Sequence, residues 1–195
     1  MFIRMIITGL TLSMLLGSGL ASAAANMTLS QDCEVLLAKD LFAWDSQYEG
    51  KTGEEIGLDF AIRGQDPNDF EAHAFVMLAA AQQGYADGQY NIGVYLRDGV
   101  GVSKDIQSSI CWFRLAANQG DVGAQGNLAL IYFDEAELPK DIVTAHMWSV
   151  IASSSGDEWA KKIMMKIQGF MGFNQIKDGW ELARVCVASK FIDCN

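Results

Sequence analysis

Laid against itself at an offset of 36 residues, this sequence repeats. Gly84 falls on Gly120 and then on Gly156, Gln89 on Gln125, Asn91 on Asn127, and Asp98 on Asp134. The run Lys104-Asp105-Ile106 falls on Lys140-Asp141-Ile142, Trp112 on Trp148, and Ala116 on Ala152, with Ala80 one period earlier. Residues 84–119 and 120–155 share nine identities in 36 positions without a gap, where chance gives about two or three. A period of this length means stacked supersecondary units. One unit cannot bury its own apolar face, so its neighbours must complete the core.

Each unit reads as two helices. The first covers 86–97, with Ile92 and Leu96 one turn apart and a small residue, Gly93 or Ala129, where another helix can approach. Gly99 to Val102 breaks it, because glycine supplies the positive φ after a helix end. Ser103 then reads as the N-cap of the second helix, with Asp105 favourable in the first turn and Pro139 in the equivalent place one unit on. That helix carries Ile106, Trp112 and Ala116 and stops at Asn118-Gln119-Gly120. Degenerate pairs extend the array: Glu54 to Arg63 with Asn68 to Gln83 upstream, and Asp157 to Phe170 with Asn174 to Ser189 downstream. The fold class expected is all-α, a solenoid of antiparallel helix pairs over 54–195, with its best units at 84–119 and 120–155.

Residues 1–25 stand apart from that core. Arg4 is their only charge, the run Met5 to Leu16 is apolar, and small residues end in Ala21-Ser22-Ala23. This is the pattern of a secretory signal peptide rather than of a membrane anchor, which needs about 20 apolar residues. Cleavage is expected after Ala23, Ala24 or Ala25, and the destination is the periplasm or the outside of the cell. Residues 26–53 read as an N-terminal capping helix, with the stripe Cys33, Leu37, Leu41, Trp44 and Tyr48.

The net charge of −10 argues against nucleic acid and anionic lipid as partners. No second hydrophobic span suggests stable membrane insertion once the signal is gone. All four cysteines, Cys33, Cys111, Cys186 and Cys194, follow the signal, and in an exported chain an even count suggests disulfides with three possible connectivities. No CxxC pair offers a thioredoxin-type redox site or a zinc ribbon. The two histidines, His73 and His146, sit on different helices without a His or Cys at i+3 or i+4, so no metal site is expected.

At Gly88-Gln89-Tyr90-Asn91-Ile92-Gly93, Gly99-Val100-Gly101-Val102, Asp105, Trp112-Phe113 and Ala116-Ala117 the chain resembles the Sel-1-like repeat family, relatives of the tetratricopeptide repeats. The second unit keeps Leu128, Tyr132, Asp141, Ala145, Trp148 and Ala152 but replaces the loop glycines by Glu135-Ala136-Glu137, a change expected to affect the bend between its helices. The family comprises mainly scaffolds and adaptors, so the resemblance implies a binding protein with no cofactor. In related repeats the first helix lines the concave face, and an asparagine there can grip a peptide backbone, since an amide both donates and accepts. Asn91 and Asn127 are the candidates, with Tyr95 and Asp98 on the same face; the partner expected is a peptide or protein of the cell envelope. Trp112 and Trp148 are expected in the core.

Cysteine-rich members of the family space two cysteines as Cys186 and Cys194 are spaced, which implies a disulfide tying the end of the last helix and leaves Cys33 and Cys111 either to pair or to remain free thiols. Some such members are associated with weak β-lactam binding or hydrolysis, so an envelope enzyme of that kind is the alternative reading. The chain contains no S-x-x-K, no G-x-S-x-G and no P-loop to support catalysis.

Overall fold

The computed structural model describes residues 62–63, 66, 68–135, 139–191 and 194. The expected signal peptide, the capping helix at 26–53 and most of the helix expected at 54–63 lie outside the described residues. Those described form seven helices and no strand: α1 (Phe70–Gln82), α2 (Ala86–Asp98), α3 (Ile106–Asn118), α4 (Val122–Asp134), α5 (Ile142–Ser153), α6 (Glu158–Gln168) and α7 (Phe173–Ala188). The architecture is an all-α repeat solenoid. Starts recur with the sequence period, α2, α4 and α6 at 86, 122 and 158, and α3 and α5 at 106 and 142.

Aspartates set these starts except that of α2, where Tyr85 stands at the cap without a side-chain bond. Asp69, Asp105 and Asp141 precede α1, α3 and α5, and each carboxylate accepts the backbone N–H three residues on, from Ala72, Ser108 and Thr144. Asp121 and Asp157 do the same for α4 and α6. The cap therefore lies at Asp105 and Asp141, not at Ser103 and Pro139. The reason is reach: a capping oxygen must sit on the residue just before the first helical turn to meet its free N–H groups, and Ser103 is two residues too early.

Exits repeat as well. Gly84, Gly120 and Gly156 have φ of 90°, 91° and 85°, and a Cβ at Gly120 or Gly156 would touch nothing within 4 Å. Backbone conformation rather than crowding thus requires glycine there. After α2, Gly99 takes the left-handed cap, whereas Glu135 closes α4 in an extended conformation. The loss of the loop glycines thus changes how α4 ends.

One core cluster gathers Phe113, Leu128, Met147, Trp148, Ile163, Ile167 and Cys186, and a second gathers Ala74, Ala81, Ile92, Leu96 and Trp112. Trp112 and Trp148 are 3% and 0% exposed. Through α6 each helix packs on its neighbours in chain order, and then the rule breaks: α7 packs on α5 instead of on α6. The sequence explains it. Where α3 meets α2, the Phe113 ring lies so close to Gly93 that a Cβ would collide with it; the equivalent Ala129 is fully buried, and the third residue in that column is Met165. Gln89 and Gln125 each donate to the end of the preceding helix, at the carbonyls of Ala81 and Ala117, while their equivalent in α6 is Lys161. Met165 thus puts bulk on α6 where its forerunners carry the small residue that lets the following helix approach. Helix α7 seats Gly179 against the His146 ring of α5 instead.

Candidate partner-binding face

The four residues singled out from the sequence lie on the first helices of two successive units: Asn91, Tyr95 and Asp98 on α2, and Asn127 on α4. Asn91 is half-buried and gives one amide N–H to the Asp87 carbonyl one turn back, at 2.7 Å, while its carbonyl oxygen accepts no hydrogen bond among the described residues. Tyr95 lies half-buried against the Trp112 cluster. Asp98 is exposed and grips the neighbouring guanidinium, Arg97 Nε and Nη2 each donating to it at 2.7 Å. That bond holds the Asp98 carboxyl below its ordinary range and raises Arg97.

Asn127 is placed differently from Asn91. It is 4% exposed, its Nδ2 donates to the Gly123 carbonyl, and its Oδ1 accepts from Arg97. Both ends of the amide are engaged inside the protein, so a ligand backbone must displace Arg97 to reach it. Arg97 is the residue that sequence reasoning missed. It bridges α2 and α4, with Asp98 on one side and Asn127 on the other, and so fixes a guanidinium between two successive units. Its equivalent in the next unit is Phe133, so periodicity gave no signal for it.

Two glycines shape the rest of this face. A Cβ at Gly123 would meet the Tyr90 ring, and one at Gly126 would meet the Trp159 ring. Aromatic side chains from α2 and α6 thus fold over α4 from either side. Trp159 stays 44% exposed and Tyr85, at the start of α2, 63%. The face offers aromatic surface, an amide, a cation and a carboxylate, which suits a peptide's mixture of backbone and side chain. Among the described residues no three His, Cys, Asp or Glu side chains are placed to hold a metal, and no helix is long and apolar enough to cross a membrane. His146 is fully buried, hydrogen-bonded through Nε2 to Gln168 at 2.9 Å.

Cys186 and Cys194 form a disulfide with Cα atoms 4.6 Å apart, tying the end of α7 to the segment after it. Lys190 and Phe191 make the return with positive φ, 56° and 66°. Cys111 on α3 is also disulfide-bonded, and Cys33 lies outside the described residues.

The Sel1 repeat model matches residues 86–121 and 122–157, in phase with the starts of α2 and α4. No curated protein matches the chain in sequence. Among solved structures it is similar to the crystal structure of c5321, a protective antigen present in uropathogenic Escherichia coli strains displaying an SLR fold, with a TM-score of 0.61 and 23% identity over 75% of this chain and 32% of that one. At that identity the likeness is one of fold, and the chain spans about a third of the antigen's length.

Proposed function

We propose that this Sel1-like repeat helical protein is an exported scaffold that holds a peptide or protein partner of the cell envelope on the face built by α2 and α4. Sel1 repeats generally mediate protein–protein contact, and here the supporting observation is the bridge Asp98–Arg97–Asn127, which spans two units and fixes a cation on that face. Such pre-organisation lowers the ordering cost of binding. Asn91 grips the partner's backbone, Asp98 and Arg97 read its charge, Tyr95 backs them, and Asn127 holds Arg97 in place. The test is site-specific crosslinking in the living cell, with a photoreactive residue at Asn91 or Asp98 and, as a control, at the exposed Gln107 of α3. A crosslinked partner from the first two positions and none from Gln107 is the expected result; equal labelling at all three would sink the proposal.

A further inference from the structure

Helix α7 has one main support among the described helices. It packs chiefly on α5, whereas α6 packs on α4 as well as on α5. Four residues join it to α6, with glycine at either end, Gly169 and Gly172. The disulfide adds no second tether, because Cys186 and Cys194 join the end of α7 to the segment after it and to nothing on α5.

A titratable ring lies in that interface. His146 of α5 is fully buried, its Nε2 bonded to Gln168 of α6 at 2.9 Å and its ring at right angles to that of Trp180 of α7, with centroids 6.0 Å apart. Its Nδ1 faces Gly179 of α7 so closely that a Cβ there would sit 2.3 Å away, and this nitrogen has no hydrogen-bond partner among the described residues. A neutral imidazole carries one N–H and a charged one carries two. Gln168 can serve one of them, and nothing serves the one at Nδ1.

No counter-charge is at hand either. Helix α5 carries no other charged residue, and Asp134 at the end of α4 is exposed and paired with Lys140. On α6, Glu158, Lys162 and Lys166 are exposed and Lys161 is paired with Glu158. On α7, Lys177, Asp178, Glu181 and Arg184 are all exposed. None of them bonds to the ring, and burial is the cause that lowers the His146 pKa.

We propose that His146 is the acid-sensitive catch of a latch: its protonation frees α7 from α5 about the Gly169–Gly172 link, and the Cys186–Cys194 loop leaves with it. A proton added to the closed ring makes a buried charge with an unpaired donor, and lifting the helix with one support is the shortest route to water. Release bares Ala183 and Cys186, which the closed helix keeps buried. Since the closed state takes the proton less readily than the open one, closure is complete above pH 6.5 and weakens as pH falls below it.

Hydrogen exchange of the purified protein, read by mass spectrometry at pH 7.5 and pH 5.0 and corrected for the intrinsic rate, tests the latch. Peptides from α7 should lose protection by about fivefold or more at the lower pH, while peptides from α2 and α3 hold theirs. His146→Phe, which keeps an aromatic ring but takes no proton, should abolish that difference. His73→Gln, at the chain's other histidine on α1, should preserve it. A second reading needs no variant: reduction of Cys186–Cys194 by a water-soluble phosphine, relative to a small-molecule disulfide in the same tube, should speed up by a like factor at pH 5.0. Unchanged protection of α7, an equal loss in every helix, or an acid response that survives His146→Phe would overturn the proposal and leave the α2–α4 reading intact.

Discussion

His146 shows what a single buried ring can control. Its environment lowers its pKa from the ordinary 6.5, with burial as the cause, and its Nδ1 has no hydrogen-bond partner among the described residues. Between its depressed folded value and 6.5 the unfolded chain binds the proton more readily, so the contribution to stability is complete above 6.5 and falls as pH drops below it. Urea denaturation of the wild type should therefore show a steeper loss of stability from pH 7.5 to pH 5 than the same series on His146→Gln; parallel curves would remove His146 from the account. The sequence placed this histidine apart from any metal site but gave no hint of its post between three helices, because its equivalent in the preceding unit is Ile110. The two asparagines teach the same lesson from the other side. They are identical in sequence and one period apart, yet one is half-buried and the other is spent on Arg97 and Gly123. Asn127→Ala removes a buried amide together with its bonds to Arg97 and Gly123 and should cost about 1–3 kcal/mol, while Asn91→Ala should stay within about 0.5 kcal/mol. Chemical denaturation of the two variants checks the difference.

At the scale of the element, the helix pattern was legible because each unit repeats its own punctuation. The first helix expected at 86–97 runs over Ala86–Asp98, and the second ends at Asn118 as its glycine stop implied. The starts were misplaced because serine before a helix is a strong signal in isolation, although Asp105 and Asp141 recur at the period and Ser103 does not. The swing of α7 was hidden for a different reason: helicity is local, but which neighbour a helix chooses depends on one column of side chains, Gly93, Ala129 and Met165. Among the described helices α7 packs chiefly on α5, and its end is held by the crosslink from Cys186 to Cys194. Closing so short a loop contributes about 2–3 kcal/mol in the chain-entropy picture. Replacing both cysteines by serine should lower the free energy of unfolding by about that amount, and non-reducing peptide mapping should recover one linked peptide containing both residues. Either cysteine alkylated in the oxidised, unreduced protein would count against the bond.

For the molecule as a whole, the sequence made the architecture readable and left its role open, since a stacked array is a frame on which many surfaces can be drawn. Export is the expectation at this scale that carries most consequence, because it decides whether the cysteines meet an oxidising compartment. Intact-mass measurement on periplasmic or secreted protein should give a chain beginning at Ala24, Ala25 or Asn26; a full-length mass confined to the cytosol would refute export. The glycines at 84, 120 and 156 carry a further consequence. Their φ angles agree within 6°, and the aspartates or tyrosine that follow stand at the same place ahead of the next helix. Chain cut at any one of these junctions therefore presents ends that fit any other. The protein can be edited like text in whole words: a duplicated block from Gly84 to Gln119, spliced in before Gly120, adds a unit without inventing a new joint, whereas a block cut a few residues out of frame has no joint to use.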